Sequence, residues 1–135
     1  MRQNSTSGAG TTSPVTGMPL LLLRIEGAVM LAAALYAWHL TGGSWLVFGL
    51  FFLTPDLAML GYLAGPRAGA IAYNLVHTYA AAALIGAIGL LASAPMAVAA
   101  AVILAGHIGF DRMLGYGLKY PDAFGHTHLG RQGKR

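Results

Sequence analysis

The chain has 135 residues, of which 56% are apolar and only 9% are charged, about a third of the charged share of an ordinary soluble domain. This composition excludes a standard soluble fold, and the absence of cysteine excludes disulfides, thiolate metal sites and cysteine nucleophiles. The pI of about 9.8 does not indicate nucleic-acid binding, because the excess positive charge lies in tails and loops rather than on one patterned face. We therefore expect the lipid bilayer, and no nucleic acid, as the partner of this chain.

The N-terminal residues 1–17 are rich in Ser, Thr and Gly and are predicted to be a disordered tail, because they cannot bury enough apolar surface to repay the entropy of ordering. Four apolar segments follow, each close to the roughly 20 residues that a helix needs to cross a bilayer. The predicted transmembrane helices cover residues 20–40, 44–63, 68–91 and 95–114. Because the links are short, we expect an all-α, up-down four-helix bundle.

Residues 115–130 are rich in glycine and contain the aromatic residues Tyr116, Tyr120 and Phe124, in a pattern too irregular for a fifth span. The aromatic rings are apolar enough to pack against the end of the bundle. We therefore predict an ordered C-terminal cap over residues 115–130, followed by a basic tail at residues 131–135.

The basic residues indicate how the chain is oriented. All eight Lys and Arg residues lie in or beside the N-terminal tail, the second loop and the segment after the fourth helix, which share one side in a four-span protein. Basic residues are enriched on the cytoplasmic side of membrane proteins. Both termini are therefore expected in the cytoplasm, with the cap on the cytoplasmic face.

Polar side chains inside the apolar segments fall in one layer. Ionisable groups at membrane depth are costly unless they are paired or hydrated, so each is a candidate functional residue. Counted at about 1.5 Å per residue, the side chains in the cytoplasmic half of the bundle are Glu26, Asp56, Asn74, His77, His107 and Asp111. The spacing places Asn74 and His77 on one helix face and His107 and Asp111 on another.

Three kinds of site agree with this layer. Two His and two Asp side chains are ligands suited to Zn, Mn or Fe. The same groups could pass protons within a carrier. They could also be ordinary ion pairs and interhelical hydrogen bonds in a structural protein. Pro55 is expected to kink the second helix beside Asp56 in each case.

Five sequence motifs carry a resemblance. They are LRIEG at residues 23–27, PDLAMLGY at 55–62, YNLVHTY at 73–79, HIGFDRMLGYGLKYP at 107–121 and THLG at 127–130. With these motifs the chain resembles a family of small bacterial membrane proteins catalogued as domain of unknown function 4260. That resemblance implies a multi-pass protein of the bacterial inner membrane and no particular activity.

A weaker resemblance adds a chemistry. The order of Pro-Asp, His-Thr and a His four residues before an Asp is similar to the inner-membrane metal-dependent hydrolases. It implies Asp56, His77, His107 and Asp111 as ligands of a divalent metal (Zn, Mn or Fe) and a lipid-borne ester or phosphoester as substrate.

The remaining polar residues of the layer have candidate roles in such an enzyme. Glu26 is the candidate general base, and Asn74 is a second candidate catalytic residue. Arg24 and Arg112 are candidates to bind an anionic lipid head group. The alternatives are a non-enzymatic structural or interaction protein of the membrane and a proton-coupled carrier subunit.

Overall fold

The computed structural model describes residues 13–132, and the apolar segments among these residues are helical. Most of the predicted N-terminal tail and residues 133–135 of the predicted basic tail lie outside the described residues. The described end of the N-terminal tail has a defined contact, since the Val15 amide donates to the carbonyl oxygen of His128 at 3.0 Å. Helix α1 covers Gly17–Thr41 and helix α5 covers Pro95–Leu114, so the first and fourth predicted segments are each one continuous helix.

The second predicted segment changes helix type in its middle. Helix α2 covers Trp45–Phe52, and a 3-10 helix follows over Thr54–Ala64. Pro55 lies in the first turn of the 3-10 helix, where its missing N–H costs no hydrogen bond. The α-helix therefore ends at Phe52, three residues before the predicted kink at Pro55.

The third predicted segment is broken into two helices. Helix α3 covers Pro66–Val76 and helix α4 covers Tyr79–Leu91, and their axes are bent by 46°. The hydroxyl of Thr78 accepts from the Ala80 amide, and the Arg112 guanidinium donates to the freed His77 carbonyl at 2.8 Å. The prediction of one helix over 68–91 missed this break, because a donor from α5 stabilises it rather than a local proline or glycine.

Three helices are long and apolar enough to cross a membrane, and the bent pair α3 and α4 would make a fourth span. The three are Gly17–Thr41, Trp45–Ala64 and Pro95–Leu114. Large apolar side chains such as Leu46 and Leu91 are 71% and 88% exposed on the outside of these helices. Such exposure is expected of side chains that face lipid rather than water. The chain is thus all-helical in its apolar part, with three or four candidate spans.

Helix α5 is the centre of the packing, because α1, α2 and α4 all contact it. Glycine permits the closest approach, as expected where helices associate without a hydrophobic drive. A Cβ atom added at Gly27 would lie 2.7 Å from the Gly109 carbonyl oxygen, and one added at Gly109 would lie 2.7 Å from the Gly27 carbonyl oxygen. Gly89 of α4 approaches Val98 of α5 in the same way. The 3-10 helix packs mainly on α3.

The C-terminal cap folds into a small hairpin. Strand β1 (His126–Thr127) pairs antiparallel with β2 (Gly130–Arg131), and Lys119 forms a further bridge with Thr127. The Leu118 amide donates to Nδ1 of His128 at 2.9 Å. Arg131 was predicted to begin the basic tail, and the structure places it in β2 because its backbone pairs with that of His126.

We predict that acid loosens the cap through His128. Burial, and then the positive charge of Arg112, lowers the pKa of His128 below its usual value. The unfolded cap therefore binds a proton near pH 6.5 that the folded cap excludes, so its stability is lost as the pH falls below that value. The protection of the Leu118 amide in hydrogen exchange should fall by up to about tenfold per pH unit there.

The matched variant is His128→Asn, whose side-chain oxygen can accept the Leu118 hydrogen bond without titrating. In that variant the protection should not change between pH 7 and pH 5. Equal pH dependence in the two proteins would show that His128 is not the group responsible.

Candidate metal centre

Four side chains from three helical elements meet at one point. Asp56 comes from the first turn of the 3-10 helix, His77 follows α3, and His107 and Asp111 lie one turn apart on α5. One ligand atom from each lies within 4.8 Å of the others. The structure therefore brings together the four residues that the sequence suggested as metal ligands.

The separations within this group of four, the Asp/His cluster, suit a single small ion. The two Nε2 atoms of His77 and His107 are 3.1 Å apart, and both lie 3.4 Å from Oδ1 of Asp56. They lie 3.8 and 3.7 Å from Oδ2 of Asp111. Four ligands bound tetrahedrally at about 2.1 Å from a metal are about 3.4 Å apart. The donor set and its spacing thus fit Zn or a similar divalent ion.

The two histidines are held in different ways. Both are at most 1% exposed. Nδ1 of His77 lies 2.9 Å from the Tyr73 carbonyl oxygen, so its N–H donates there and the Nε2 lone pair is directed at the cluster. Nδ1 of His107 is buried and has no hydrogen-bond partner in residues 13–132, and the ring packs edge-on against Phe52.

Tyr73 was not predicted as a site residue, yet it holds two members of the cluster. Its hydroxyl donates to Oδ2 of Asp111 at 3.0 Å, its carbonyl accepts from His77, and its ring stacks on His77 with centroids 3.6 Å apart. A tyrosine in an apolar helix is more often a packing residue, which is why it was missed. Its position four residues before His77, on the same helix face, was the available signal.

Removing the Tyr73 hydroxyl should weaken metal binding. Hydrogen bonds to metal-binding residues orient them, and losing one typically costs 10 to 100-fold in affinity, about the loss we expect for Tyr73→Phe. Titration against a competing chelator in detergent measures it. The matched control is Tyr79→Phe, because the buried Tyr79 hydroxyl has no partner among the described residues. Equal affinities in both variants would contradict this role.

The other four predicted site residues lie outside the cluster, and three of them, Asn74, Arg112 and Arg24, hydrogen-bond to the backbone. The side-chain amide of Asn74 forms two hydrogen bonds with the backbone of Lys119. It donates to the carbonyl oxygen at 2.8 Å and accepts from the N–H at 2.7 Å. Arg112 is 8% exposed and donates to the carbonyls of Tyr116 and His77. These contacts attach the cap to α3 and stabilise the helix break.

Arg24 and Glu26 are both exposed residues of α1. Nε of Arg24 donates to the Met113 carbonyl at 2.8 Å, and the role of Arg24 at an anionic head group stays a prediction. Glu26 is not a member of the Asp/His cluster. Its role as a general base stays a prediction.

Lys119 adds an unexpected buried cation beside the cluster. It is 7% exposed, and its Nζ atom lies 3.8 Å from the ring centre of Phe124 and 4.8 Å from that of Tyr73. Nζ also donates to the Phe124 carbonyl at 2.9 Å, and burial lowers the pKa of the ammonium. Lys119 thus fixes the cap on the same aromatic ring that stacks on His77.

Exposure within the cluster is concentrated at Asp56. The Asp56 side chain is 38% exposed, whereas that of Asp111 is 12% exposed and those of the two histidines are at most 2% exposed. Asp56 is therefore the member that a ligand from outside would meet first. Pro55, the residue before it, lines an apolar cavity.

Comparison with known proteins gives one match. The family model described as "Domain of unknown function (DUF4260)" matches residues 20–132, which is well over half of the chain. No curated protein and no solved structure matches the chain. The matched region contains all four members of the Asp/His cluster.

Proposed function

The chain belongs to the DUF4260 family, and we propose that it is a membrane enzyme that holds one divalent metal ion in the Asp/His cluster and hydrolyses a lipid-borne ester or phosphoester. The observation that carries the proposal is the approach of four ligand atoms to within 4.8 Å of one another. Two carboxylates this close in a largely buried site repel each other, and a divalent cation would neutralise both. The imidazole and carboxylate donors favour Zn, Mn or Fe.

The residues of the cluster have different tasks in this proposal. His77, His107 and Asp111 form the enclosed part of the site, with Tyr73 orienting two of them. A bound metal would supply Lewis acidity for the attack of water on an ester or phosphoester. Because Asp56 is the most exposed member of the cluster, we assign to its carboxylate the acceptance of the proton that the attacking water loses. Asp56 thus supplies at the cluster the function for which Glu26 was the sequence candidate.

The proposal includes a topology. We place the protein in the bacterial inner membrane with four spans in up-down order, counting α3 and α4 as one bent span, and with both termini in the cytoplasm. The contact between Arg24 and Met113 supports this, since it joins the basic ends of α1 and α5 on one side. The cap then covers the cytoplasmic end of the Asp/His cluster.

A structural role is the competing function, and one contact favours it. The Nε2 atoms of His77 and His107, 3.1 Å apart, could share a proton in an interhelical hydrogen bond without any metal. That arrangement leaves two carboxylates beside the pair without a cation between them, so the metal site accounts for more of the geometry. The carrier alternative would need polar groups beyond the cluster, and the cavity there is mostly apolar.

Turnover of a lipid substrate tests the proposal. Protein purified in detergent should release fatty acid or phosphate from a short-chain phospholipid in mixed micelles, and release should depend on added Zn or Mn. At saturating metal, Asp56→Asn should lower the rate by about 100-fold or more. Asp122→Asn is the matched control, because that carboxylate lies in the cap and pairs with His126. Absence of turnover by metal-loaded protein, or full activity of the Asp56→Asn variant, would refute the proposed enzymatic function.

A further inference from the structure

An apolar cavity of about 560 Å³ lies between α2 and α5, and one end of it is lined by residues that adjoin the Asp/His cluster in the chain. Near the cluster its walls include Thr54, Pro55 and Val76, and at the far end they include Trp38, Ser44 and Met96. None of the residues that line it is charged. The cavity is therefore unsuited to an ionic solute and suited to a hydrocarbon.

The cavity and the cluster are joined through the backbone. Pro55 directly precedes Asp56, and Val76 directly precedes His77, so two of the four cluster residues follow residues of the cavity wall. A molecule that fills the near end of the cavity would therefore contact the residues that directly precede Asp56 and His77. The cavity and the cluster can belong to one binding site.

The length of the cavity matches one lipid tail. From Ser44 to Pro55 the chain advances about 16 Å at the helical rise of about 1.5 Å per residue. The hydrocarbon of one leaflet is half of a core about 30 Å thick, or about 15 Å. One extended acyl chain could therefore reach from the cluster to the far end of the cavity.

The surroundings of the cavity favour the same occupant. Trp45–Ala64 and Pro95–Leu114, which supply much of its wall, are candidate membrane spans. The cavity is only partly enclosed, and an opening between membrane spans would face lipid tails rather than water. Apolar cavities of this kind do not retain water, whereas hydrocarbon fills them favourably. An acyl chain can enter from the bilayer without crossing a polar surface.

We propose that this cavity holds one acyl chain of the substrate lipid and places the adjoining ester or phosphoester at Asp56 and His77. The inference rests on the proposed function, because it names the substrate class for the same site. It assigns recognition to the hydrocarbon tail, so lipids with different head groups should compete for the cavity when their chains are alike.

Photo-crosslinking tests the cavity. The probe is a phosphatidylcholine with a diazirine at the end of one acyl chain, carried in vesicles with the full-length protein. Crosslinks mapped by mass spectrometry should concentrate on residues at the far end of the cavity, such as Ser44 and Met96. Ala100→Phe, which fills the cavity from an exposed position on α5, should lower these crosslinks at least fivefold, and Ala100→Leu should lower them less.

The control variant is Ala33→Phe, at an exposed position on α1 that does not line the cavity, and its cavity crosslinks should equal those of the wild type. Metal content is measured on every sample. The proposal that the cavity holds an acyl chain would be overturned if the crosslinks of metal-loaded protein spread evenly over its lipid-facing helices. It would also be overturned if the crosslinks persist in Ala100→Phe. Metal-free wild type would instead refute the metal site, whatever the crosslinks show. If the protein forms a dimer in which the second copy covers the cavity and the crosslinks are absent, the inference is also overturned.

Discussion

Replacing His107 with alanine is expected to reduce bound metal from about one ion per chain to less than a tenth of that. The substitution removes an Nε2 atom that lies within 3.8 Å of three other ligand atoms, and at most 1% of His107 is exposed to solvent that could replace it. Even indirect support of a metal ligand is commonly worth 10 to 100-fold in affinity, so loss of the ligand should exceed that. Elemental analysis of protein purified after growth with Zn or Mn measures the change.

The matched control for this experiment is His39→Ala. His39 is an exposed histidine near the end of α1 and lies outside the Asp/His cluster. Its variant should keep the metal content of the wild type. Equal metal in the two variants would show that the ion binds elsewhere, and a folded His107→Ala protein with full metal would remove His107 from the ligand set.

The largest expected loss of stability comes from the crossing of α1 and α5. At Gly109 an added Cβ would lie 2.7 Å from both the carbonyl oxygen of Gly27 and the amide nitrogen of Leu31. Both atoms belong to the backbone and cannot move aside as a side chain can. Gly109→Ala should therefore lower the free energy of unfolding by about 1–3 kcal/mol, and Gly109→Leu by more. Unfolding in detergent, followed by circular dichroism, measures both.

Gly49→Ala provides a control of opposite sign. Gly49 lies in α2, and an added Cβ there would meet nothing within 4 Å. Because alanine is the better helix former, this variant should gain about 0.5–1 kcal/mol in the free energy of unfolding. Equal stability of Gly49→Ala and Gly109→Ala would contradict close packing of α1 on α5.

The sequence was sufficient for an all-helical apolar region with three or four candidate spans and for the members of the cluster. Long apolar segments predict membrane helices because the bilayer fixes their length. Polar residues are so costly at that depth that Asp56, His77, His107 and Asp111 could be identified by counting along each helix. Their convergence follows because neighbouring helices place residues of equal depth side by side.

The local shape of the site could not be predicted, because contacts between distant residues determine it. The break after α3 depends on Arg112, which donates to the carbonyl of His77 35 residues earlier in the chain. Asn74 was assigned to chemistry from its spacing, whereas its amide binds the backbone of Lys119. Tyr73 lies four residues before His77, but that spacing does not reveal that its hydroxyl and its carbonyl each bind a member of the cluster.

X-ray absorption at the metal edge of the purified, metal-loaded protein is the most direct test of the metal centre. We predict one Zn, Mn or Fe ion whose nearest neighbours are two imidazole nitrogens and carboxylate oxygens at about 2.0–2.2 Å, and loss of the imidazole scattering in a His77→Ala, His107→Ala double variant. A folded wild-type protein that takes up no metal, or whose metal has no imidazole neighbours, would contradict the metal centre. In that case His77 and His107 would bind only each other, and the Asp/His cluster would be structural.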